Sequence, residues 1–292
     1  MKVLLTGAAG QLGRELSLAC PPSVELTGLA KNGLDITDKP AVLAAFEKYR
    51  PQLVINAAAY TKVDQAELDR DAAFAVNSTG AGNVAAAATA VGSRLLHLST
   101  DFVFNGAQSR PYRPDDSPRP ISAYGRSKLD GEKAVQSLCA NPALIVRSSW
   151  IYSRFGSNFV KTMLVLMKER SRLGVVSDQV GAPTWARTLA EAIWDMAARP
   201  QMTGILHWAD AGVASWYDFA VAIQTIALEL GLLESAIPIE PISTEAYPTP
   251  AARPRFSVLD TTETRKELAT QQLHWGKALQ LMLEDLANSG DA

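Results

Sequence analysis

The sequence predicts an α/β fold, a doubly wound parallel sheet with a smaller C-terminal lobe, and three observations predict it. Strand-like and helix-like segments alternate through the first half of the 292-residue chain, a glycine-rich turn follows the first strand, and a buried apolar run ends in two hydroxyls. The apolar Lys2–Thr6 reads as the first strand. Gly7-Ala-Ala-Gly10-Gln-Leu-Gly13 follows and opens a helix over 14–19. A strand at 24–29, a helix at Lys39–Tyr49 and a strand at Leu53–Asn56 continue the alternation, then an Ala-rich helix around 69–91 and a strand at 94–99. The helix Ala123–Leu138 and a strand at 144–147 complete the first half.

Beyond Trp150 the rhythm loosens. Helices are expected at 158–169, 185–198, 215–230 and 276–287, with short strands at 174–176 and 205–208. Prolines at 238, 241, 248, 250 and 254 argue for an irregular, partly extended stretch. Residues 1–150 are therefore read as a dinucleotide-binding part, to which some later segments return, and 151–292 mainly as a substrate lobe. The loop over 105–120, rich in Pro, Asp and Arg, reads as a solvated surface loop near the cleft.

Composition fits an enzyme with one large core or a core plus a lobe: 47% hydrophobic, 20% charged and a net charge of −2. No basic excess points to nucleic acid, and no polybasic arm to a membrane surface. Cys20 and Cys139 have neither disulfide nor metal spacing, and His97, His207 and His274 show no metal pattern, so no metal is expected. Without a leader-like start or a bilayer-length apolar run, the expected compartment is the cytoplasm. The sequence does not fix the oligomeric state and leaves a homodimer open.

Two stretches carry chemistry. In the glycine turn, Gly7 and Gly10 allow close backbone approach to a pyrophosphate lying at the amino end of the following helix, and Gly13 lets helix and strand pack closely. In Tyr124-Gly-Arg-Ser-Lys128, two residues four apart share one helical face. A free phenol has a pKa of about 10, and a nearby ammonium is expected to lower it, which makes Tyr124 a proton donor. The spacing alone is common. It gains weight from Arg94-Leu-Leu-His-Leu-Ser-Thr100, a buried strand ending in hydroxyls at the edge where such folds build sites. Adjacent strand residues face opposite ways, so only one of Ser99 and Thr100 enters the cleft.

The glycine turn, the strand-end hydroxyl and the Tyr-x-x-x-Lys pair resemble the extended short-chain dehydrogenase/reductase family. Longer stretches resemble its dTDP-4-dehydrorhamnose reductases in particular: Asn56-Ala-Ala-Ala-Tyr-Thr-Lys-Val-Asp64, Ser99-Thr-Asp-Phe-Val-Phe104, Arg147-Ser-Ser-Trp150 and Gly156-Ser-Asn-Phe159, then Asp178-Gln-Val-Gly-Ala-Pro-Thr184, Ser215-Trp-Tyr-Asp-Phe219 and Pro248-Thr-Pro-Ala-Ala-Arg-Pro254. Phe102 departs from the pattern, which usually has tyrosine there.

The resemblance implies a Rossmann-type fold and reduction of a nucleotide-sugar ketone. It implies Tyr124 as general acid, Lys128 as its electrostatic partner and ribose anchor, and Thr100 as the hydroxyl that holds the carbonyl oxygen. Cofactor contacts are expected from Gly7, Gly10, Gln11, Leu12, Asp35, Ile36, Ala57, Ala58, Ala59 and Lys128. Substrate contacts are expected from Val63, Thr100, Asp101, Tyr124, Trp150 and Asn158. The tip of the second strand, Leu29-Ala-Lys-Asn32, has a lysine and no carboxylate, so NADPH is expected, with NADH also open. Two other readings stay open: a reductase or epimerase of another nucleotide sugar, and a non-catalytic regulatory subunit of the same fold. Retention of Thr100, Tyr124 and Lys128 weighs against the second.

Overall fold

The computed structural model describes residues 1–270 and 272–289. The chain begins with strand β1 (Lys2–Thr6), helix α1 (Gln11–Leu18), β2 (Glu25–Leu29), α2 (Lys39–Tyr49) and β3 (Leu53–Asn56). Short helices α3 (Gln65–Leu68) and α4 (Arg70–Phe74) lead through a π-helical turn, Ala75–Gly80, into α5 (Ala81–Val91). The continuous helix expected over 69–91 is thus interrupted. After β4 (Arg94–Thr100) comes a 3₁₀ turn, Asp101–Val103, then α6 (Ala123–Leu138) and β5 (Leu144–Ser148).

The second half holds β6 (Ile151–Tyr152), α7 (Phe159–Glu169), β7 (Leu173–Val176), β8 (Val180–Gly181), β9 (Thr184–Trp185), α8 (Ala186–Ala197) and β10 (Gly204–His207). It ends with β11 (Ala214–Ser215), α9 (Trp216–Glu229), β12 (Ile239–Ile242), α10 (Thr262–Leu268) and α11 (Trp275–Ser289).

Six strands form one sheet in the order β2-β1-β3-β4-β5-β10, and all pairs are parallel. The four residues of β3 are all buried because both faces of the sheet are covered. On one face Leu5, Ile55, Leu96, Leu98 and Val146 pack with α1 and α8. On the other Leu4, Val54, Leu95 and Ile145 pack with α2, α5 and α6. Although they lie beyond residue 150, α8 and β10 belong to this layered body.

A third cluster joins Tyr152 of β6, Val160 and Leu164 of α7, Phe219 and Ile223 of α9, and Leu279 and Leu283 of α11. The proline-marked stretch is partly extended, as expected: β12 pairs in parallel with β7, and its Pro241 sits in an edge pairing where a missing N–H is tolerated. The 105–120 loop is less free than expected, because Tyr112 is buried, stacks on Phe104 at 4.1 Å and bridges to Leu259. No described helix is long and apolar enough to cross a membrane.

The chain leaves β1, crosses to β2 on one side, then returns past β1 to β3 on the other. The carboxyl ends of β1 and β3 therefore diverge at a topological switch point, where open α/β sheets bind ligands.

Candidate active site

At the switch point, Thr6 donates its hydroxyl to Asn56 Oδ1 at 2.7 Å, which ties the ends of β1 and β3 together. Gly7 then adopts φ 74°, and a Cβ there would stand 2.6 Å from Ala58 N and 2.7 Å from Ala57 C and O. Glycine is required on both counts. Gly13 is pressed on the Gly7 carbonyl just as closely, which seats α1 on the turn.

The amino end of α1 has the features of an anion cradle. Its N-cap, Gly10, has no side-chain cap bond, and the first turn carries no acidic residue, so the orphan N–H groups remain available. Gln11 lies half-buried in this turn. Leu12 stands in the same turn with its side chain buried in the core against the sheet. Ala57, Ala58 and Ala59 line the end of β3, half-buried. Asp35 accepts the Thr37 N–H and hydroxyl at 2.9 and 2.8 Å, which holds its carboxyl below the usual range. Ile36 is buried against Gly80, where a Cβ would come within 2.7 Å of it. Lys31 is exposed at the tip of β2.

The second constellation sits at the carboxyl end of β4. Ser122 caps α6 by accepting the Gly125 N–H at 3.1 Å, and Glu67 accepts the Ala123 N–H at 2.6 Å. Gly125 lets the first turn of α6 press onto the Phe102 carbonyl, and Gly131 lets the helix press onto the Asn77 carbonyl in the π-helical turn. Asn77 also donates to Ser127 Oγ and to the Tyr60 carbonyl. These contacts bring Tyr124 and Lys128 against the strand end. The Thr100 hydroxyl lies beside the Tyr124 phenol and donates to Asp101 Oδ1 at 3.1 Å, and the Phe102 ring meets Tyr124 edge-on at 5.6 Å.

Ser99 turns the other way, donating to Glu132 Oε1 at 2.5 Å inside the protein. The structure thus separates the two hydroxyls that the sequence left in competition.

The electrostatics correct one expectation. Lys128 does not lower the Tyr124 phenol in the free protein: burial pushes the phenol up to about 12, the Thr100 contact opposes this, and Asp101 adds to it. Lys128 instead donates to the Leu98 carbonyl at 2.6 Å, and burial lowers its ammonium to about 8 against the pull of Glu132. Asp101 is raised to about 6 by burial, with its Oδ2 lacking a hydrogen-bond partner.

Across the cleft, Trp150 adopts φ 46°, uncommon for a bulky residue. Its indole stacks on Trp216 with ring centroids 3.4 Å apart, and Gly181 leaves room for it, since a Cβ would stand 2.5 Å from the ring. Asn158 caps α7 by accepting the Lys161 N–H, while its Nδ2 reaches Gln11 Oε1 at 2.9 Å and the Ser153 carbonyl at 2.6 Å. Its amide N–H groups are therefore engaged within the protein. Val63 packs with Tyr60, Phe102 and Tyr124 at the cleft wall.

The sequence did not reveal the roles of four groups. Asn77 is hidden inside an apparently plain helix. Trp216 stacks on Trp150. Arg253 clasps Asp64 at 2.7 Å across 189 residues. Arg147 holds Glu132 through two hydrogen bonds beneath α6. Only Glu132 had a readable signal, lying four residues after Lys128.

A parallel sheet with an open glycine cradle at its switch point, and a tyrosine and lysine at the neighbouring strand end, defines a Rossmann-type NAD(P)-dependent oxidoreductase. The chain belongs to the RmlD substrate binding domain family, whose model matches residues 1–288. It is 41% identical over 285 residues to the dTDP-4-dehydrorhamnose reductase of Aggregatibacter actinomycetemcomitans, covering 95% of this chain and 97% of that one. It is 40% identical over 291 residues to the spore coat polysaccharide biosynthesis protein SpsK of Bacillus subtilis (strain 168), covering 99% of each. A solved structure of dTDP-4-dehydrorhamnose reductase from Bacillus anthracis str. Ames in complex with NADP superposes with a TM-score of 0.91 at 38% identity, over 97% of this chain and 99% of that one.

Proposed function

We propose that this protein reduces the C4 ketone of dTDP-4-dehydro-L-rhamnose to the alcohol of dTDP-L-rhamnose, with NADPH as its preferred cofactor and NADH as a second. The observation that carries the reading is the convergence of Thr100, Tyr124 and Lys128 at one strand end, in a chain of this family. The uncapped α1 amino end, the Gly7 turn and Ala57 to Ala59 fit a dinucleotide, and Lys31 suits a 2′-phosphate. NADPH, when bound, supplies the hydride.

The protein's own work is to hold the ketone oxygen and deliver a proton to it. As charge develops on that oxygen, the Thr100 hydroxyl and the Tyr124 phenol stabilise it more than they stabilise the ketone. Tyr124 then transfers its proton to the alkoxide. A phenol at about 12 still donates readily, because an alkoxide is a much stronger base than a phenolate. The phenolate left behind is reprotonated from solvent, and the Lys128 ammonium on the same helical face is placed to anchor the cofactor ribose.

Asp101, Val63 and Trp150 form the walls that seat the sugar nucleotide, and Asn158 links that wall to the cofactor turn through Gln11. Residues 1–150 with α8 and β10 form the dinucleotide part, and most of the remainder the sugar-nucleotide lobe. The absence of any nucleic-acid signature fits a small-molecule substrate, and the cytoplasm and a homodimer are the setting we assign. Purified protein with NADPH and a panel of dTDP-, UDP- and GDP-keto-sugars tests the reading. Preference for the dehydrorhamnose nucleotide is expected. A better UDP or GDP substrate, or no oxidation with any, overturns it.

A further inference from the structure

We propose that Glu132, gripped by Arg147 and Ser99, is a positioning residue for Lys128, keeping that side chain a cation seated on the Leu98 carbonyl. The proposal rests on the reductase reading above for its consequence in turnover, but not for its test.

Tyr124, Lys128 and Glu132 follow one another at four-residue intervals along α6 and so line one face of the helix. All three are buried, at 9%, 3% and 1% exposure. Arg147 projects from β5 behind them, and its Nε and Nη2 donate to the two Glu132 oxygens at 2.8 and 2.7 Å. Ser99, opposite Arg147 in the β4–β5 register, adds a third hydrogen bond to Oε1. The Arg147 guanidinium rests over the Phe104 ring at 5.1 Å.

The carboxylate is thus fixed in an ion pair with Arg147 by groups other than Lys128, one helical turn from the lysine on the same face of α6. Such a pair can hold a buried ammonium charged without bonding to it.

Among the described residues no other anion is placed to do this. On α6 the lysine is flanked by neutral Tyr124. β4 contributes Arg94, engaged with the Ala197 carbonyl, and His97, which burial keeps neutral and which Lys128 repels. The 3₁₀ turn contributes Asp101, which burial raises to about 6 and which acts on Tyr124, whereas Glu132 acts on Lys128. The Ala75–Gly80 turn and α5 carry no ionisable side chain. α4 offers Arg70 and Asp71, both exposed, and α3 offers Glu67, engaged with the Ala123 N–H. Glu132 opposes the downward push of burial on the lysine.

A structural tether between α6 and β5 would predict something different. It would matter for stability and leave the lysine titration unmoved.

The test is an NMR titration of the Lys128 side chain in free, lysine-labelled protein, with the signal assigned through Lys128→Met. The wild type is expected to titrate near 8. Glu132→Gln is expected to lower the midpoint by about one unit, a tenfold loss of proton affinity, and Glu132→Asp to restore most of it. Because Glu132→Gln leaves Arg147 buried without its partner, Glu132→Gln/Arg147→Met provides the folded alternative, since replacing a whole buried pair is commonly tolerated. Its midpoint should fall as well.

If the double variant folds and titrates within about 0.3 units of wild type, a shift too small to matter on the tenfold-per-unit scale, the proposal is overturned and the pair is only a tether. A lowered midpoint in a protein that reduces no keto-sugar nucleotide would leave this inference standing and remove the reductase reading instead.

Discussion

Replacing Gly7 with alanine tests the cofactor turn without adding or removing any polar group. Two costs arise there. The left-handed backbone at φ 74° penalises a Cβ by roughly 1–2 kcal/mol. The new methyl would also stand 2.6–2.7 Å from main-chain atoms of Ala57 and Ala58, which directly follow the buried strand β3 and are held by it. Overpacking of this kind costs roughly 1–3 kcal/mol.

Gly92 provides the internal control. It has nearly the same backbone, φ 71°, yet nothing lies within 4 Å of its would-be Cβ. Gly92→Ala should therefore lose only the backbone cost, and Gly7→Ala about 1–3 kcal/mol more. Urea unfolding at constant m-value reads the difference directly. Calorimetric titration with NADPH should show affinity weakened about tenfold or more in Gly7→Ala, a loss of about 1.4 kcal/mol or more, and unchanged in Gly92→Ala. Equal stability losses at the two sites would refute the close approach of turn and strand, and unchanged NADPH affinity in Gly7→Ala would refute the placement of the pyrophosphate.

Three further outcomes are expected. The kcat/KM profile should fall as pH rises above about 8, because Lys128 loses its proton there in the free protein; a profile flat to pH 10 would count against a required ammonium. Asp101 titrates about 6 in the folded chain against 3.8 ordinarily, so the folded state binds the extra proton and stability falls as pH rises through that window. Asp101→Asn should accordingly be more stable than wild type at pH 7, by an amount of order 3 kcal/mol, with the gain shrinking toward pH 4 in chemical denaturation. Thr100→Val should lower kcat by roughly 10²-fold, the size of one lost donor to developing charge, whereas Ser99→Ala should chiefly lower stability, by about 1 kcal/mol; the reverse pattern in parallel kinetics and unfolding would exchange their roles.

What was readable from the sequence was what local pattern dictates. A short apolar run such as Leu53–Ile55 between polar neighbours reads as a strand covered on both faces, and Gly7, Gly10 and Gly13 follow β1 at the spacing a phosphate cradle needs. Tyr124 and Lys128 were legible as a pair because four residues make one turn of helix.

The features that were missed depend on distant contacts. The π-helical turn at Ala75–Gly80 keeps a helix-like pattern, and its purpose, to aim Asn77 at Tyr60 and Ser127, is visible only with those partners in place. Strands of two residues, such as Ile151–Tyr152 pairing with Thr184–Trp185, leave no periodicity to detect. The raised Tyr124 phenol was misjudged because spacing shows the nearby charge but not the burial that outweighs it. Asn158 reads in sequence as a substrate contact, while the structure engages it in a helix cap and with Gln11, 147 residues away.

The most direct test of the whole account is a single-turnover measurement of NADPH oxidation with dTDP-4-dehydro-L-rhamnose by Tyr124→Phe and wild type, with NADPH affinity measured alongside. The account predicts rapid oxidation by the wild type, a loss of roughly 10²–10⁴-fold in the variant, and unchanged NADPH binding. Near-wild-type oxidation by Tyr124→Phe would contradict it.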